Sequence, residues 1–281
     1  MILVTGAGGK TGKAVIKALV QAGQPVRAWL RRAGQAEEIP ETDPIVGDLE
    51  DSNLWRQACL DVEALYLICP NMHPQELEIG RRAMRAARAA GVGRFVYHSV
   101  LHPQTEDMPH HWQKLRMEEA IFRSGLPFTI LQPCAYMQNI LAFRTEIAAT
   151  GTYTVPYDVR ARFALIDLVD VAQAAARVLT ESGHDGAIYE LAGPENLSST
   201  KIAKQLTAHL QRPVQAERMP LEQWSKAAFE SGMPTPTIES LAAMFRYYNA
   251  YGLVGSGNVL GWLLGRRPTS LAQFVKRTFP I

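Results

Sequence analysis

The chain has 281 residues, 47% apolar and 20% charged, a composition suited to a buried core rather than to disorder. Its 29 lysines and arginines against 27 aspartates and glutamates leave +2, which argues against a dedicated nucleic-acid or membrane binder. Three cysteines, Cys59, Cys69 and Cys134, form no C-x-x-C pair and leave an odd thiol, so they read as reduced, buried side chains of a cytoplasmic protein.

Apolar Ile2-Leu3-Val4 follow Met1 directly with no charged leader, so secretion is not expected. A strand is predicted over Ile2–Thr5 and a helix over Lys10–Ala22, where Ala14, Val15, Ala18 and Leu19 line one face and Gly23 stops it. Strands follow at Val26–Leu30, Pro44–Val46, Ala64–Cys69, Arg94–Ser99 and Phe128–Gln132. Between them lie predicted helices Ser52–Ala58, Gln75–Ala90 and His110–Ser124. Strands alternating with helices predict βαβ crossovers and an α/β doubly wound parallel sheet, covered on both faces. Beyond residue 133 the rhythm loosens. Asp170 is read as the cap of a helix over Val171–Leu179, Ala187–Leu191 as a strand, and Ser199 as the cap of Lys201–Leu210. The uncharged stretch Tyr247–Gly265 is broken by too many glycines to span a membrane and reads as a loop feeding a short buried helix.

Thr5-Gly6-Ala7-Gly8-Gly9-Lys10-Thr11-Gly12 links the first strand to the first helix. The literal G-x-G-x-x-G spacing fails at Thr11, but Gly6-x-x-Gly9-x-x-Gly12 keeps its logic: a tight turn, backbone close to a pyrophosphate, and helix packed on strand. A Walker A loop is excluded, because Val4 stands where its first glycine belongs. The helix start offers unpaired N–H groups to phosphates, so residues Gly6 to Gly12 are candidate nucleotide contacts. The second strand ends in Arg31-Arg32, with no acid before Glu37. Two guanidiniums suit a 2′-phosphate, which favours NADP(H) over NAD; the alternative is a solvated surface pair.

These motifs, with Gly47-Asp48-Leu49, Phe95–Val100, Ser124–Pro133, Asp167–Ala172, Tyr189–Glu195 and Leu264–Ser270, resemble the NmrA-like atypical short-chain dehydrogenases over essentially the whole chain. The resemblance implies a Rossmann core over 1–133 and a smaller substrate lobe over 134–281, interleaved with the last sheet strands as one structural unit. It also implies that Asp48 and Leu49 flank the adenine and that Cys69, Pro70 and Asn71 line the cofactor. Pro133, Cys134, Ala135 and Tyr136 would follow the nicotinamide end. A loop-capping role for Asp48 stays open beside the adenine contact.

None of the nine tyrosines has a lysine four residues later, so the Tyr-x-x-x-Lys pair of ordinary short-chain dehydrogenases is missing. Lys114 occupies the place of the family's helix lysine, which implies a contact to the nicotinamide ribose. His110 stands four residues before it, a candidate proton donor by its ordinary pKa; a noncatalytic loop-to-helix corner is the alternative for His110 and His111. Ser99 matches the family's strand-end serine or threonine, a candidate contact to cofactor or acceptor. Because hydride transfer is cofactor chemistry, an acceptor such as a quinone suits a site without the tyrosine better than a simple carbonyl does. The expected activity is NADPH-dependent reduction of a quinone-like or other small conjugated acceptor, with His111, Met137 and Asn139 on the substrate side. The rival is an NADP(H)-sensing redox regulator acting on a protein partner without turnover. No metal is expected: His98-x-x-x-His102 has helical spacing but lies on a strand. Arg81, Arg82, Arg85 and Arg88 read as a solvated helix face.

Overall fold

The computed structural model describes residues 1–279; the last two residues of the predicted second lobe, 280 and 281, lie outside the described residues. The chain opens with β1 (Ile2–Val4), α1 (Lys10–Gln21), β2 (Val26–Leu30), β3 (Asp43–Val46), α2 (Ser52–Ala58) and β4 (Ala64–Leu67). Next come α3 (Glu76–Ala89), β5 (Arg94–His98), α4 (Pro109–Phe122) and β6 (Phe128–Pro133), completing the alternation that periodicity predicts. The middle holds β7 (Ala135–Tyr136), α5 (Arg144–Thr150), β8 (Thr152–Val155), β9 (Arg162–Ile166), α6 (Leu168–Thr180) and β10 (Ala187–Leu191). The remainder is β11 (Asn196–Ser198), α7 (Ser199–Leu210), β12 (Gln215–Arg218), α8 (Leu221–Glu230), α9 (Thr235–Tyr251), α10 (Asn258–Leu264) and α11 (Leu271–Thr278).

Two compact units are built from interleaved segments. Met1–Gln104, Gln113–Pro133 and Leu168–Tyr189 make the first, and Thr105–Trp112, Cys134–Asp167 and the chain from Glu190 onward make the second. The first carries a seven-stranded sheet of order β10-β6-β5-β4-β1-β2-β3, in which every pair from β6 to β3 runs parallel. This is the Rossmann arrangement, whose strand order reverses between β1 and β4. β1 sits centrally, with Ile2 opposite Val26 on one side and Ala64 on the other, and all three of its residues are buried. Strands buried on both faces need continuous apolar runs, which is why Ile2-Leu3-Val4 and Ala64-Leu65-Tyr66-Leu67 fill these places. Under the sheet, Leu3, Leu65, Phe95 and Ile130 pack with Trp55 of α2 and Ala83 of α3 in one core; burying each large side chain there contributes about 1.5–3 kcal/mol. The second unit holds a three-stranded sheet β11-β9-β7 and a parallel pair β12-β8.

Three local readings change. Asp170 does not cap α6; the helix begins two residues earlier, at Leu168, and Asp170 is fully buried in its first turn. Ser198, not Ser199, caps α7, accepting from the Lys201 N–H at 3.3 Å, while Ser199 is the buried first helical residue. Tyr247–Tyr251 form the end of α9 rather than a loop, although the expected short helix follows as α10, burying Leu260, Leu263 and Leu264. Among the described residues no helix is long and apolar enough to cross a membrane.

Candidate functional site

The glycine loop leaves β1 at the carboxyl edge of the sheet, beside the point where the strand order reverses. Thr5 fastens it to the end of β4. The Ile68 N–H donates to Thr5 Oγ1 at 2.8 Å, and the Thr5 hydroxyl donates back to the Ile68 carbonyl at 3.0 Å. Gly6 turns the chain with φ +60°, a conformation that favours glycine. Gly12, one turn into α1, lies against that loop so closely that a Cβ would stand 2.3 Å from the Gly6 carbonyl oxygen and 2.7 Å from Ala7 Cα. The close approach seats the start of α1 directly on the loop. Gly9 is the N-cap with no side-chain cap, and the first turn of α1 carries no acid. An uncapped helix start presents donors and a positive dipole, as a bound pyrophosphate requires.

Arg31 and Arg32 are exposed at the end of β2, and the Arg32 N–H donates to Gln35 Oε1 at 3.0 Å. The Gln35 side chain lies over Gly8, where a Cβ would meet its Nε2. Asp48 Oδ1 accepts from the Glu50 N–H at 2.9 Å, the loop-capping geometry, with the residue itself exposed. Leu49 sends its side chain into the core, and its carbonyl accepts from Trp55 Nε1 at 2.8 Å. Of Cys69-Pro70-Asn71, the cysteine is buried in the core while Pro70 and Asn71 are exposed. Burial above all, then the charge of Glu76, pushes the Cys69 thiol well up, so it stays protonated.

Lys114 emerges from α4 into a buried polar cluster. Its Nζ donates to Glu76 Oε1 at 2.7 Å and to the His98 carbonyl at 3.1 Å, and lies 5.2 Å from the Tyr97 ring centre. The Tyr97 hydroxyl donates to the same Glu76 oxygen at 2.6 Å. Burial, reinforced by Glu76, raises Tyr97 well above the ordinary phenol range. Burial, then the Lys114 charge, lowers His98 to about 3, so its imidazole is neutral; its Nδ1 is 2.5 Å from the Tyr66 hydroxyl. Tyr66 and Tyr97 are thus both fully buried and engaged, and neither offers an activated phenol. Ser99 donates to Glu118, which also accepts from Gln132 Nε2 at 2.9 and 3.0 Å; burial raises the Glu118 pKa against those hydrogen bonds.

Glu76 is absent from the residues that the sequence singles out. It stands 38 positions before its lysine, on another helix, and no local pattern links them.

Pro133 ends β6, and its carbonyl accepts from the Leu101 N–H at 2.9 Å. In the second unit, Cys134 is buried, and burial pushes its thiol up to about 12. Ala135 and Tyr136, both half-buried, form β7 beside β9. Met137 and His111 are each 1% exposed and point into that unit, whereas Asn139 is exposed. His110 lies in the same unit, its Nδ1 3.5 Å from Ser240 Oγ and its ring centre 4.5 Å from that of His111. Gly8 and Gly9 complete the loop and Lys10 and Thr11 begin α1, with Gly9 and Lys10 exposed and the other two half-buried. Among the described residues no three His, Cys, Asp or Glu side chains gather as a metal site. Arg81, Arg85 and Arg88 are exposed, as the solvated helix face predicts, and with Arg116 and Arg123 they line an open groove of about 540 Å³. Arg82 does not line it, and its Nη1 is buried without a partner.

Comparison with known proteins agrees with this architecture. The chain is 28% identical to NAD(P)H azoreductase of Xenophilus azovorans, over 98% of this chain and 97% of that one. It is 29% identical to quinone oxidoreductase 2 of Escherichia coli (strain K12), over 100% and 99% of the two chains. The crystal structure of NADPH-dependent quinone oxidoreductase QOR2 from Escherichia coli complexed with NADPH superposes with a TM-score of 0.88, at 29% identity and full coverage of both chains. The NmrA-like family model matches residues 1–277, and the chain belongs to that family.

Proposed function

We propose that this protein is an NADPH-dependent oxidoreductase that passes a hydride to a quinone-like or other small conjugated acceptor. The observation that carries the reading is the cradle made by Gly6, Gly12 and the uncapped start of α1, clamped by Thr5 where the strand order reverses. Its likeness to an azoreductase and to an NADPH-dependent quinone oxidoreductase along the full chain supports the reaction class.

The residues fit the cofactor. Backbone N–H groups of the loop and of α1 would bind the pyrophosphate, and the exposed guanidiniums of Arg31 and Arg32 the 2′-phosphate. Two of the three Lys114 donors are taken by Glu76 and the His98 carbonyl, which leaves one for a ribose hydroxyl. Reduced nicotinamide supplies the hydride when bound. With Tyr66 and Tyr97 engaged, neither of these phenols is poised to protonate the product. The reduced oxygens of a quinone can take their protons from water, and such a reaction tolerates the missing tyrosine. Three free, buried thiols suit a reducing cytoplasm.

Steady-state oxidation of NADPH with a panel of quinones and azo compounds tests the reading. Turnover well above background with at least one of them is expected. Tight NADPH binding without turnover would favour the redox-regulator alternative.

A further inference from the structure

We propose that Glu76 is a positioning residue for Lys114, its buried carboxylate fixing the ammonium so that the one remaining N–H is directed to the cofactor. This rests on Lys114 as the ribose contact. Glu76 opens α3 and Lys114 lies in α4, so their ion pair is a tertiary feature rather than a helix-surface pair. The carboxylate side chain is 2% exposed and the lysine 12%, so the pair is sealed on the Glu76 side and open on the Lys114 side.

The ammonium is held from two directions, by Glu76 Oε1 at 2.7 Å and by the His98 carbonyl at 3.1 Å, with the Tyr97 ring as a third wall. These partners engage two of its three donors and leave the third, on the more accessible member of the pair. Tyr97 in turn fixes Glu76 through its hydroxyl at 2.6 Å. Cys69, which leads into the exposed Pro70-Asn71 turn, senses the charges of both Glu76 and Lys114. The pair therefore lies beside the turn expected along the cofactor. A buried ion pair is seldom the most stabilising way to fill a core, and apolar side chains of similar volume often do as well. Its one-sided opening and the fully engaged Tyr97 instead match a device that aims a cation. The ionisable groups facing Lys114 are Glu76 from α3, Tyr97 and His98 from β5, Cys69 after β4, and Glu118 from α4 itself.

NADPH dissociation constants for the full-length protein test this with Glu76→Gln, Lys114→Met, the double variant and Glu76→Asp. Glu76→Gln is expected to weaken NADPH about tenfold, with partial recovery in Glu76→Asp. In the Lys114→Met background it should add nothing. Tyr97→Phe, which keeps both charges and frees the carboxylate, should weaken binding by a smaller factor and serves if Glu76→Gln does not fold. If Lys114→Met weakens binding but Glu76→Gln does not, the positioning role fails while the ribose contact stands. A Glu76→Gln effect that persists undiminished beside Lys114→Met would also overturn it. If Lys114→Met binds and turns over like the wild type, the ribose contact itself is wrong.

Discussion

Gly12→Ala tests the cradle directly. Alanine in a helix ordinarily gains about 0.5–1 kcal/mol over glycine, so at an exposed helix position the substitution would stabilise. At Gly12 the new methyl would stand 2.3 Å from the Gly6 carbonyl oxygen, 2.8 Å from its carbon and 2.7 Å from Ala7 Cα, all backbone atoms that no rotamer change can move. Reaching even 3.0 Å from that oxygen requires α1 and the loop to part by about 0.7 Å. Overpacking of this kind costs about 1–3 kcal/mol, which cancels the propensity gain and leaves a net loss of up to about 2.5 kcal/mol. A displaced helix start also carries its N–H groups away from the pyrophosphate, and shifts approaching 1 Å in a site cost up to about a hundredfold. Denaturant unfolding and NADPH titration of the same variant read both effects. A Gly12→Ala protein more stable than the wild type, with unchanged NADPH affinity, would refute the cradle.

Arg31→Ala should cut the preference for NADPH over NADH by about ten- to a hundredfold, the worth of a charge-assisted contact to phosphate; an unchanged affinity ratio would return Arg31 to the solvated surface. His98 is neutral in the folded protein down to about pH 3 but takes a proton near pH 6.5 when unfolded. Between those values the unfolded chain binds more protons, so stability falls as pH falls, by up to about 1.4 kcal/mol per unit from this group. His98→Gln should flatten that slope between pH 6.5 and 5; equal slopes would remove the assignment. Burial raises Cys59 to about 11, Cys134 to about 12 and Cys69 further, so a thiol reagent should label none of them in the native protein and all three after denaturation. Rapid labelling of any native thiol would contradict that packing.

The sheet was readable because its strands are continuous apolar runs and its helices carry one buried face, as in α1 with Val15, Ile16 and Leu19. The bounds of Val26–Leu30, Ser52–Ala58 and Ala187–Leu191 come out as the periodicity predicts. The second unit was obscure for the opposite reason: β7 has two residues and β11 three, too short to show alternation. Caps are less legible where two serines stand together, since either Ser198 or Ser199 offers a capping oxygen and only the backbone shows that Ser198 accepts from the Lys201 N–H. In the site, glycine spacing pointed to the loop because backbone contacts admit no Cβ there. Side-chain roles were less legible. The side chains of Leu49 and Cys69 belong to the core, and Glu76 acquires its partners only when α3, β5 and α4 are packed together.

The most direct test of the proposed function is single-turnover mixing of the NADPH-loaded protein with a quinone, following loss of the reduced nicotinamide signal. The proposal predicts its decay at a rate that saturates with quinone concentration and greatly exceeds that of free NADPH. A stable complex whose nicotinamide stays reduced in the presence of every quinone and azo compound tried would contradict it.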